Sequence, residues 1–203
     1  MKVNLLYGKM GKPVELPDER TFVIRPKDVA PITDEKSAVY EALRAPIGSP
    51  PLSEIVTADD TVAIVFSDIT RPMPYRSVLP PLMDELSTVP DNQIVFINAT
   101  GTHRPNTQEE LVEILGDVIV DRFRIHQHDS NDDANLINIG STSKDHEIWV
   151  NREYMESSIR ILTGFIEPHL FAGFSGGPKA VLPGIAGVNN ILSNHGSEMI
   201  GDP

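Results

Sequence analysis

The 203-residue sequence contains no cysteine, which excludes disulfide bonds and thiolate metal sites. Metal ligands must therefore come from its six histidines and its carboxylates, and a soft sulfur ligand could come only from a cofactor. Basic residues are also few, because 17 Lys and Arg stand against 29 Asp and Glu and give a formal net charge of −12. This acidic balance argues against a nucleic-acid partner, since phosphate binding needs clustered positive charge. An anionic ligand would need a local exception to the acidic field.

Long apolar runs are missing as well. The start MKVNLLYGKMGK has no apolar segment of signal-peptide length, and no later run approaches the ~20 apolar residues of a membrane span. We therefore expect a soluble, cytoplasmic protein with no membrane partner. The 40% of hydrophobic residues are enough for a real core, and the length suits one substantial domain or two small ones.

From residue 61 onward, apolar runs of strand length alternate with stretches of helical periodicity. The alternation predicts an α/β fold, namely a Rossmann-like three-layer domain with a mostly parallel sheet and helices on both faces. A hairpin-like excursion is expected within residues 128–151. The strand candidates are VNLLYG, TFVIRP, TVAIVF, NQIVFINA, RFRIHQ and IRILTGF. The helix candidates are DEKSAVYEALRAP, YRSVLPPLMDELSTV and NTQEELVEILGDVI, the last opened by a capping box of Thr107 and Glu110.

Three loops rich in reactive side chains follow the predicted strands. Ligands of parallel α/β sheets bind outside the carboxyl ends of the strands, so these loops should meet at one edge although they lie far apart in sequence. The loops are SDITRPMP, ATGTHRPN and FIEPHLFAGFSGGPK.

In the first loop, Asp68, Thr70 and Arg71 follow a buried strand, where an acid and a base can face one ligand. An ordinary turn explains them too, since Asp is a common helix cap and Pro72 and Pro74 are common helix starters.

Histidines at two places in the sequence could be either functional residues or solvated surface residues. His103 follows TGT at a strand end; lone loop histidines are usually solvated, but this position makes a functional role an equal alternative. His126 and His128 face the same side of a strand next to Asp129, so the run 126–129 is a competing candidate metal site. Solvated histidines at a strand edge are the alternative there.

The stretch 165–179 matches two well-known motifs only in part. GFSGG fits the G-x-S-x-G nucleophile elbow with Ser175 as the nucleophile. The elbow should turn sharply out of a strand, but nine residues separate Phe165, at the end of the predicted strand, from Ser175. In addition, no acid lies between Ser175 and the downstream histidine, as the order Ser, acid, His requires. A phosphate-binding loop ending at Lys179 fails because Pro178 removes a backbone donor and the next residue offers magnesium no hydroxyl.

A third interpretation uses the glycines of the same stretch. Gly173, Gly176 and Gly177 permit close approach of a bulky ligand to the backbone, beside the amine of Lys179 and the imidazole of His169. A further histidine, in the motif NHG, follows on a predicted helix.

Four motifs, SDITRP, TGTHRP, EPHLFAGFSGGPK and NHG, in this order and spacing closely resemble the N-terminal domain of the nickel-dependent lactate racemase family. The resemblance spans essentially all of residues 1–203 and implies one N-terminal cofactor-binding and catalytic domain. It also implies a cofactor, the nickel pincer nucleotide (nickel pyridinium-3,5-bisthiocarboxylate mononucleotide), whose two sulfurs and one ring carbon hold nickel. Sulfur supplied by the cofactor suits a protein without cysteine.

The resemblance further implies roles for individual residues. Lys179 is expected to attach the cofactor covalently, and His195 to be the protein ligand of nickel. His103 and His169 are expected to be the paired catalytic acid and base. The expected cofactor contacts are Asp68, Ile69, Thr70, Arg71, His169, Lys179 and His195.

The implied reaction is racemisation or epimerisation of a small-molecule 2-hydroxy acid by proton-coupled hydride transfer. One histidine takes the hydroxyl proton while the hydride moves to the cofactor, and return to the other face inverts the centre, which requires two bases. The enzymes that make the cofactor are expected as transient partners.

Members of the family carry a second, C-terminal domain that supplies substrate-binding residues across the cleft, and we expect this domain to be absent from the chain. A cofactor-carrying or ligand-binding module without turnover of its own is the alternative, and a Ser175 hydrolase is the third candidate.

Overall fold

The computed structural model describes residues 1–8, 10–25, 27–170 and 172–201. The chain divides into two compact units, Met1–Thr33 and Asp34–Pro203. The second unit carries every candidate site residue named above.

The first unit contains an antiparallel pair of short strands, β1 (Lys2–Leu5) and β2 (Lys12–Glu15). β1 matches the predicted strand VNLLYG in part. The predicted strand TFVIRP is wrong for Thr21–Arg25, which have no regular secondary structure, and Pro26 lies outside the described residues. Phe22 and Ile24 are more than 90% exposed, so this apolar run has no packing partner in the described part of the unit to hold it as a strand.

The second unit is built on a four-stranded sheet with all strands parallel, in the order β5 (Arg124–Gln127), β4 (Ile94–Ala99), β3 (Val62–Ser67) and β8 (Ile159–Leu162). The prediction of an α/β fold with a mostly parallel sheet is confirmed. The strands of this unit are β3 (Val62–Ser67), β4 (Ile94–Ala99), β5 (Arg124–Gln127), β6 (Leu136–Ser141), β7 (Glu147–Asn151), β8 (Ile159–Leu162), β9 (Pro168–His169) and β10 (Gly173–Phe174). The helices are α1 (Glu35–Arg44), α2 (Leu52–Ile55), α3 (Tyr75–Glu85), α4 (Gln108–Leu115), α5 (Asp117–Arg122), α6 (Arg152–Glu156), α7 (Val188–Asn194) and α8 (Ser197–Ile200).

The sheet buries both of its faces, because successive side chains of a strand point to opposite sides. On β3, Ile64 and Phe66 pack with helices α3, α4 and α5, whereas Ala63 and Val65 face the other side. That second layer consists of α6, β7 and the segment 177–187, so it contains less helix than the first. β6 and β7 form the expected antiparallel hairpin.

The predicted helix NTQEELVEILGDVI is two helices. Its capping box is present, since Thr107 accepts from the backbone of Glu110 and the Glu110 side chain accepts from the backbone of Thr107. Gly116, with φ of +86°, separates α4 from α5, a conformation that glycine adopts without the steric cost of a side chain. In the described residues, no helix combines the length and the apolar character that crossing a bilayer requires.

Candidate functional site

A cleft of about 480 Å³ lies at the carboxyl ends of β3, β4 and β8, bounded also by the segment 176–184 and α7. Its volume falls within the range of ~300–1,000 Å³ that is usual for small-molecule sites. The expectation that the loops meet at one sheet edge is therefore confirmed. Six of the candidate residues line the cleft, namely Asp68, Arg71, His103, His169, Lys179 and His195.

Ile69 and Thr70 are not among the residues that line this cleft. Ile69 is half-buried, and Thr70 donates to Asp68. The Asp68 Oδ1 atom accepts from the backbone N of Thr70 at 3.0 Å and from its hydroxyl at 2.6 Å.

The second oxygen of Asp68 contacts a histidine. His103 Nδ1 lies 2.5 Å from Asp68 Oδ2, with the Asp68 side chain 5% exposed and the His103 side chain 50% exposed. Burial alone would raise the pKa of Asp68, but hydrogen bonds from Thr70 and His103 outweigh it and lower the pKa below its usual value. Asp68 therefore stays a carboxylate, held on both oxygens.

Two basic side chains, Arg71 and Lys179, line the cleft and make it locally positive although the net charge of the protein is negative. Burial lowers the pKa of the Lys179 amine, the positive charge of Arg71 lowers it further, and Glu167 acts in the opposite direction. A lysine with a lowered pKa has a larger fraction of neutral, nucleophilic amine at neutral pH. The sequence reasoning missed Glu167, which lines the same cleft.

His169 lies on β9 and its Nδ1 atom accepts from the backbone N of Ala172 at 3.3 Å. Its pKa is lowered, first by desolvation and then by the nearby charges of Lys179, Arg71 and His195. The imidazole is therefore favoured in its neutral form, in which it can exchange a proton with a ligand.

His195 is the residue that follows α7, so it lies at the helix end and not within the helix. Its Nδ1 atom donates to the carbonyl of Ile191 at 2.8 Å, because a carbonyl oxygen can only accept. In the neutral ring the proton is then on Nδ1, and Nε2 has the lone pair that a metal ion needs.

Buried hydrogen bonds beneath the cleft hold its strand ends together. The Tyr75 hydroxyl accepts from the backbone N of Ser67 at 2.6 Å and lies 3.3 Å from the Thr163 hydroxyl, which donates to Val65 O. These bonds tie the end of β3 to the end of β8. The sequence reasoning did not identify Tyr75 or Thr163. A signal for Thr163 was available, because a Thr-Gly pair lies at the end of two of the predicted strands, in NATG (98–101) and in ILTG (161–164).

A tight backbone approach joins the end of β4 to the segment that carries Lys179. The backbone N of Gly101 donates to Gly184 O at 2.9 Å. A Cβ on Gly184 would lie 2.2 Å from Ala180 O and 2.9 Å from the Ala99 Cβ, so only glycine fits there. Gly176, with φ of +77°, is likewise required by the fold, because a Cβ there would lie 2.9 Å from Ile166 Cγ1.

The hydroxyl of Ser175 has a structural role. Its hydroxyl donates to Phe165 O at 2.6 Å and accepts from the backbone N of Glu167 at 2.9 Å, which joins two neighbouring segments of the cleft wall. The hydroxyl proton is thus directed to a carbonyl, which leaves the serine poorly placed to act as a nucleophile.

The competing metal site on β5 is not supported. Asn151 Nδ2 lies 3.2 Å from both His126 Nε2 and His128 Nδ1, and the other nitrogens of the two rings contact Glu153 and Ala186 O. Burial lowers the pKa of His128 and keeps the ring neutral. Among the described residues, no group of three or more potential ligands is placed to hold a metal ion.

The fold and the cleft define a class of protein, an α/β domain with a histidine-rich and locally cationic ligand site at the carboxyl edge of a parallel sheet. A profile of the lactate racemase N-terminal domain matches residues 7–203. The chain belongs to this family.

Named relatives agree with this assignment. A protein named lactate racemase from Lactiplantibacillus plantarum is 42% identical over 170 residues, which are 83% of this chain and 40% of the relative. Another of that name from Thermoanaerobacterium thermosaccharolyticum is 37% identical over 205 residues, which are 99% of this chain and 48% of the relative. The chain therefore spans less than half the length of either relative.

Solved structures show the same fold. The lactate racemase apoprotein from Thermoanaerobacterium thermosaccharolyticum matches with a TM-score of 0.85 at 37% identity, over 100% of this chain and 48% of that one. A protein from Thermotoga maritima matches with a TM-score of 0.60 at 27% identity, over 78% of this chain and 42% of that one.

Proposed function

We propose that the chain is the cofactor-binding and catalytic domain of a lactate racemase-like isomerase that acts on a small 2-hydroxy acid. The observation that carries the proposal is that two histidines, a lysine of lowered pKa and a third histidine whose Nδ1 donates to Ile191 O line one cleft. Relatives named lactate racemase, at 37–42% identity, support the same assignment.

The residues of the cleft fit the nickel pincer nucleotide. A cleft of about 480 Å³ can take a mononucleotide. Arg71 supplies positive charge for its phosphate, and His195 offers an imidazole nitrogen, a ligand that suits nickel. Since the chain has no cysteine, sulfur ligands come from the cofactor.

We assign Lys179 to the covalent attachment of this group and His195 to the metal. The lowered pKa of Lys179 favours attachment, because only the neutral amine is a nucleophile. The hydrogen bond from His195 Nδ1 to Ile191 O orients the ring, and Nε2 is the nitrogen that we assign to the metal. When bound, the cofactor supplies a site that accepts a hydride from the substrate and returns it.

His103 and His169 carry the proton in this proposal. One ring accepts the proton of the substrate hydroxyl as the carbon loses its hydride, and the other ring serves the opposite enantiomer. Both histidines line the same cleft, and the cationic side chain of Arg71 beside them suits a substrate carboxylate. The proposal includes a cytoplasmic location and transient contact with the enzymes that make the cofactor.

A cofactor-carrying module without turnover is the second candidate. It is favoured by one observation, namely that the chain spans 40% and 48% of its two named relatives. Residues elsewhere in those relatives could complete the substrate site.

The test is interconversion of D- and L-lactate by protein made in a host that produces the cofactor. The proposal expects racemisation by the wild type and its loss in His103→Ala and His169→Ala, with His146→Ala as a control from the β6–β7 hairpin region. In the half-reaction, keto acid formed per cofactor should fall mainly from one enantiomer in the first variant and from the other enantiomer in the second. Equal losses from both enantiomers in both variants would contradict the paired assignment, and a loaded wild type without racemisation would favour the module.

A further inference from the structure

Asp68 is more deeply buried than the other charged residues of the cleft, with its side chain 5% exposed. Both of its oxygens have partners within the protein, with Thr70 on Oδ1 and His103 on Oδ2. These contacts indicate that Asp68 acts on His103.

The contact fixes the proton of the His103 ring. A carboxylate oxygen can only accept, so Nδ1 donates and, in the neutral ring, Nε2 keeps the lone pair. The ring is half exposed to the cleft, and Nε2 is the nitrogen left to take a proton from a ligand. Without a partner on Nδ1, a neutral histidine would be free to place its proton on either nitrogen.

We propose that Asp68 is a positioning residue that holds His103 in the Nδ1–H form, so that Nε2 is the proton-accepting atom. Thr70 fixes which oxygen of Asp68 faces His103, because its backbone N and its hydroxyl both donate to Oδ1. The role of His103 as a base rests on the proposed function, whereas the state of its ring can be measured without it.

His169 is the natural comparison within the cleft. Its Nδ1 atom accepts from the backbone N of Ala172, so in the neutral ring the proton is on Nε2. In this resting state the two histidines are set in opposite tautomers, so that His103 can take a proton on Nε2 at once, whereas His169 must first lose its Nε2 proton before it can serve the opposite enantiomer. Asp68 is what makes them different.

Asp68→Asn provides a sharp test because Thr70 decides how the new amide is oriented. The two donors of Thr70 require an oxygen at the Oδ1 position, so the NH₂ group of the asparagine must face His103. That group can only donate, so Nδ1 of His103 must become the acceptor and its proton must move to Nε2. Asp91→Asn, at a surface carboxylate paired with Arg122, is the matched control for the change of charge.

The experiment is long-range ¹H–¹⁵N NMR of the histidine rings in the 203-residue chain, above the ordinary histidine pKa of about 6.5. The wild type and Asp91→Asn should show His103 as Nδ1–H, and Asp68→Asn should show it as Nε2–H. His169 should read Nε2–H in all three. A wild-type His103 in the Nε2–H form, or the same His103 tautomer with and without Asp68, overturns the proposal, and the wild-type reading alone decides if Asp68→Asn does not fold.

Racemisation by cofactor-loaded protein provides the second readout. Asp68→Asn should lower turnover about 10³-fold or more with little change in KM, since a base held in the wrong tautomer cannot accept the proton. Asp91→Asn should react at the wild-type rate. Wild-type turnover in Asp68→Asn overturns the positioning role, whereas a wild type that does not racemise overturns the proposed function and leaves the NMR result to decide the state of His103.

Discussion

Two groups of histidines lie near the carboxyl ends of the parallel strands, and they have opposite environments. The cleft histidines, His103, His169 and His195, line a cavity of about 480 Å³ that also holds two cationic side chains. The strand histidines, His126 and His128, share the amide of Asn151 and are closed off by Glu153 and Ala186 O. Both groups contain the residue type that binds metals and moves protons.

The difference shows that the partners of a histidine decide what it can do. Every ring nitrogen of the strand histidines has a protein contact, and His128 is 4% exposed, so neither a ligand nor a metal can approach without breaking the network. In the cleft, backbone and carboxylate contacts hold one nitrogen of each ring, at His103, His169 and His195. The contacts of the first group stabilise the fold, and we propose that the second group presents imidazoles to a ligand.

The largest expected effect comes from exchanging one histidine of each group for alanine. His169→Ala should lower racemisation by cofactor-loaded protein by about 10²–10⁴-fold, the usual contribution of a general acid or base, and leave the unfolding midpoint unchanged. His126→Ala should leave turnover unchanged and lower the free energy of unfolding by about 1 kcal/mol, because it removes the contacts to Asn151 and Glu153. Activity assays with urea unfolding of both variants check this; loss of turnover in both would remove the distinction.

Asn151→Ala tests the strand histidines through their shared partner. Asn151 is fully buried, donates towards both rings and caps α6 by accepting from the backbone N of Tyr154. Its loss leaves buried groups without partners, so the free energy of unfolding should fall by about 2–4 kcal/mol. The control is Asn138→Ala, at an exposed position on β6, which should have little effect. Equal unfolding midpoints for the two variants would show that the network does not stabilise the fold.

Lowering the pH should reduce the stability that His128, one of the strand histidines, contributes to the fold. The pKa of His128 lies below the usual 6.5 because burial disfavours its charged form. The unfolded chain therefore binds more protons than the folded chain just below pH 6.5, and the stability that neutral His128 contributes is complete above this pH and is lost as the pH falls through the folded pKa. Urea unfolding between pH 7.5 and 5 should show the loss. The slope should be smaller in His128→Gln, while a slope identical to that of the wild type would exclude His128 as its source.

The smallest effect concerns the lysine of the cleft. Arg71 lowers the pKa of Lys179, so Arg71→Gln should raise that pKa and reduce the fraction of neutral amine. Labelling of Lys179 by an amine-reactive ester at pH 8 should then slow by a few-fold, while the exposed Lys36 on α1 should be labelled at its original rate. Peptide mapping by mass spectrometry measures both rates in one sample, and faster labelling of Lys179 in the variant would contradict the electrostatic effect.

The sequence was sufficient to predict those parts of the site that depend only on the order of the strands. Because the carboxyl ends of parallel strands share one edge, Asp68, His103 and Lys179 could be assigned to one cleft before any coordinates. The buried runs TVAIVF and NQIVFINA correspond to β3 and β4 with small differences at their ends. Strong apolar periodicity of this kind survives in the fold because it is what the core buries.

Contacts between distant residues could not be predicted in the same way. Asn151 meets His126 and His128 across more than 20 residues of sequence, and Tyr75 OH reaches Thr163 across 88. No local sequence pattern encodes these pairs. The contacts of Asn151 are the reason why the candidate metal site at His126 and His128 is a structural network instead. The exposed run Thr21–Arg25 failed for a related reason, since an apolar segment becomes a strand only where another strand or layer meets it.

We expect the cleft, and not the strand histidines, to hold the cofactor. The decisive measurement is intact-mass and peptide-level mass spectrometry of protein from a host that makes the nickel pincer nucleotide, with Lys36→Ala as the matched control for Lys179→Ala. One covalent addition, on Lys179, is expected in the wild type and in Lys36→Ala, and none in Lys179→Ala. An addition that persists in Lys179→Ala, or wild-type protein that carries none while the host makes the cofactor, would show that Lys179 does not attach it.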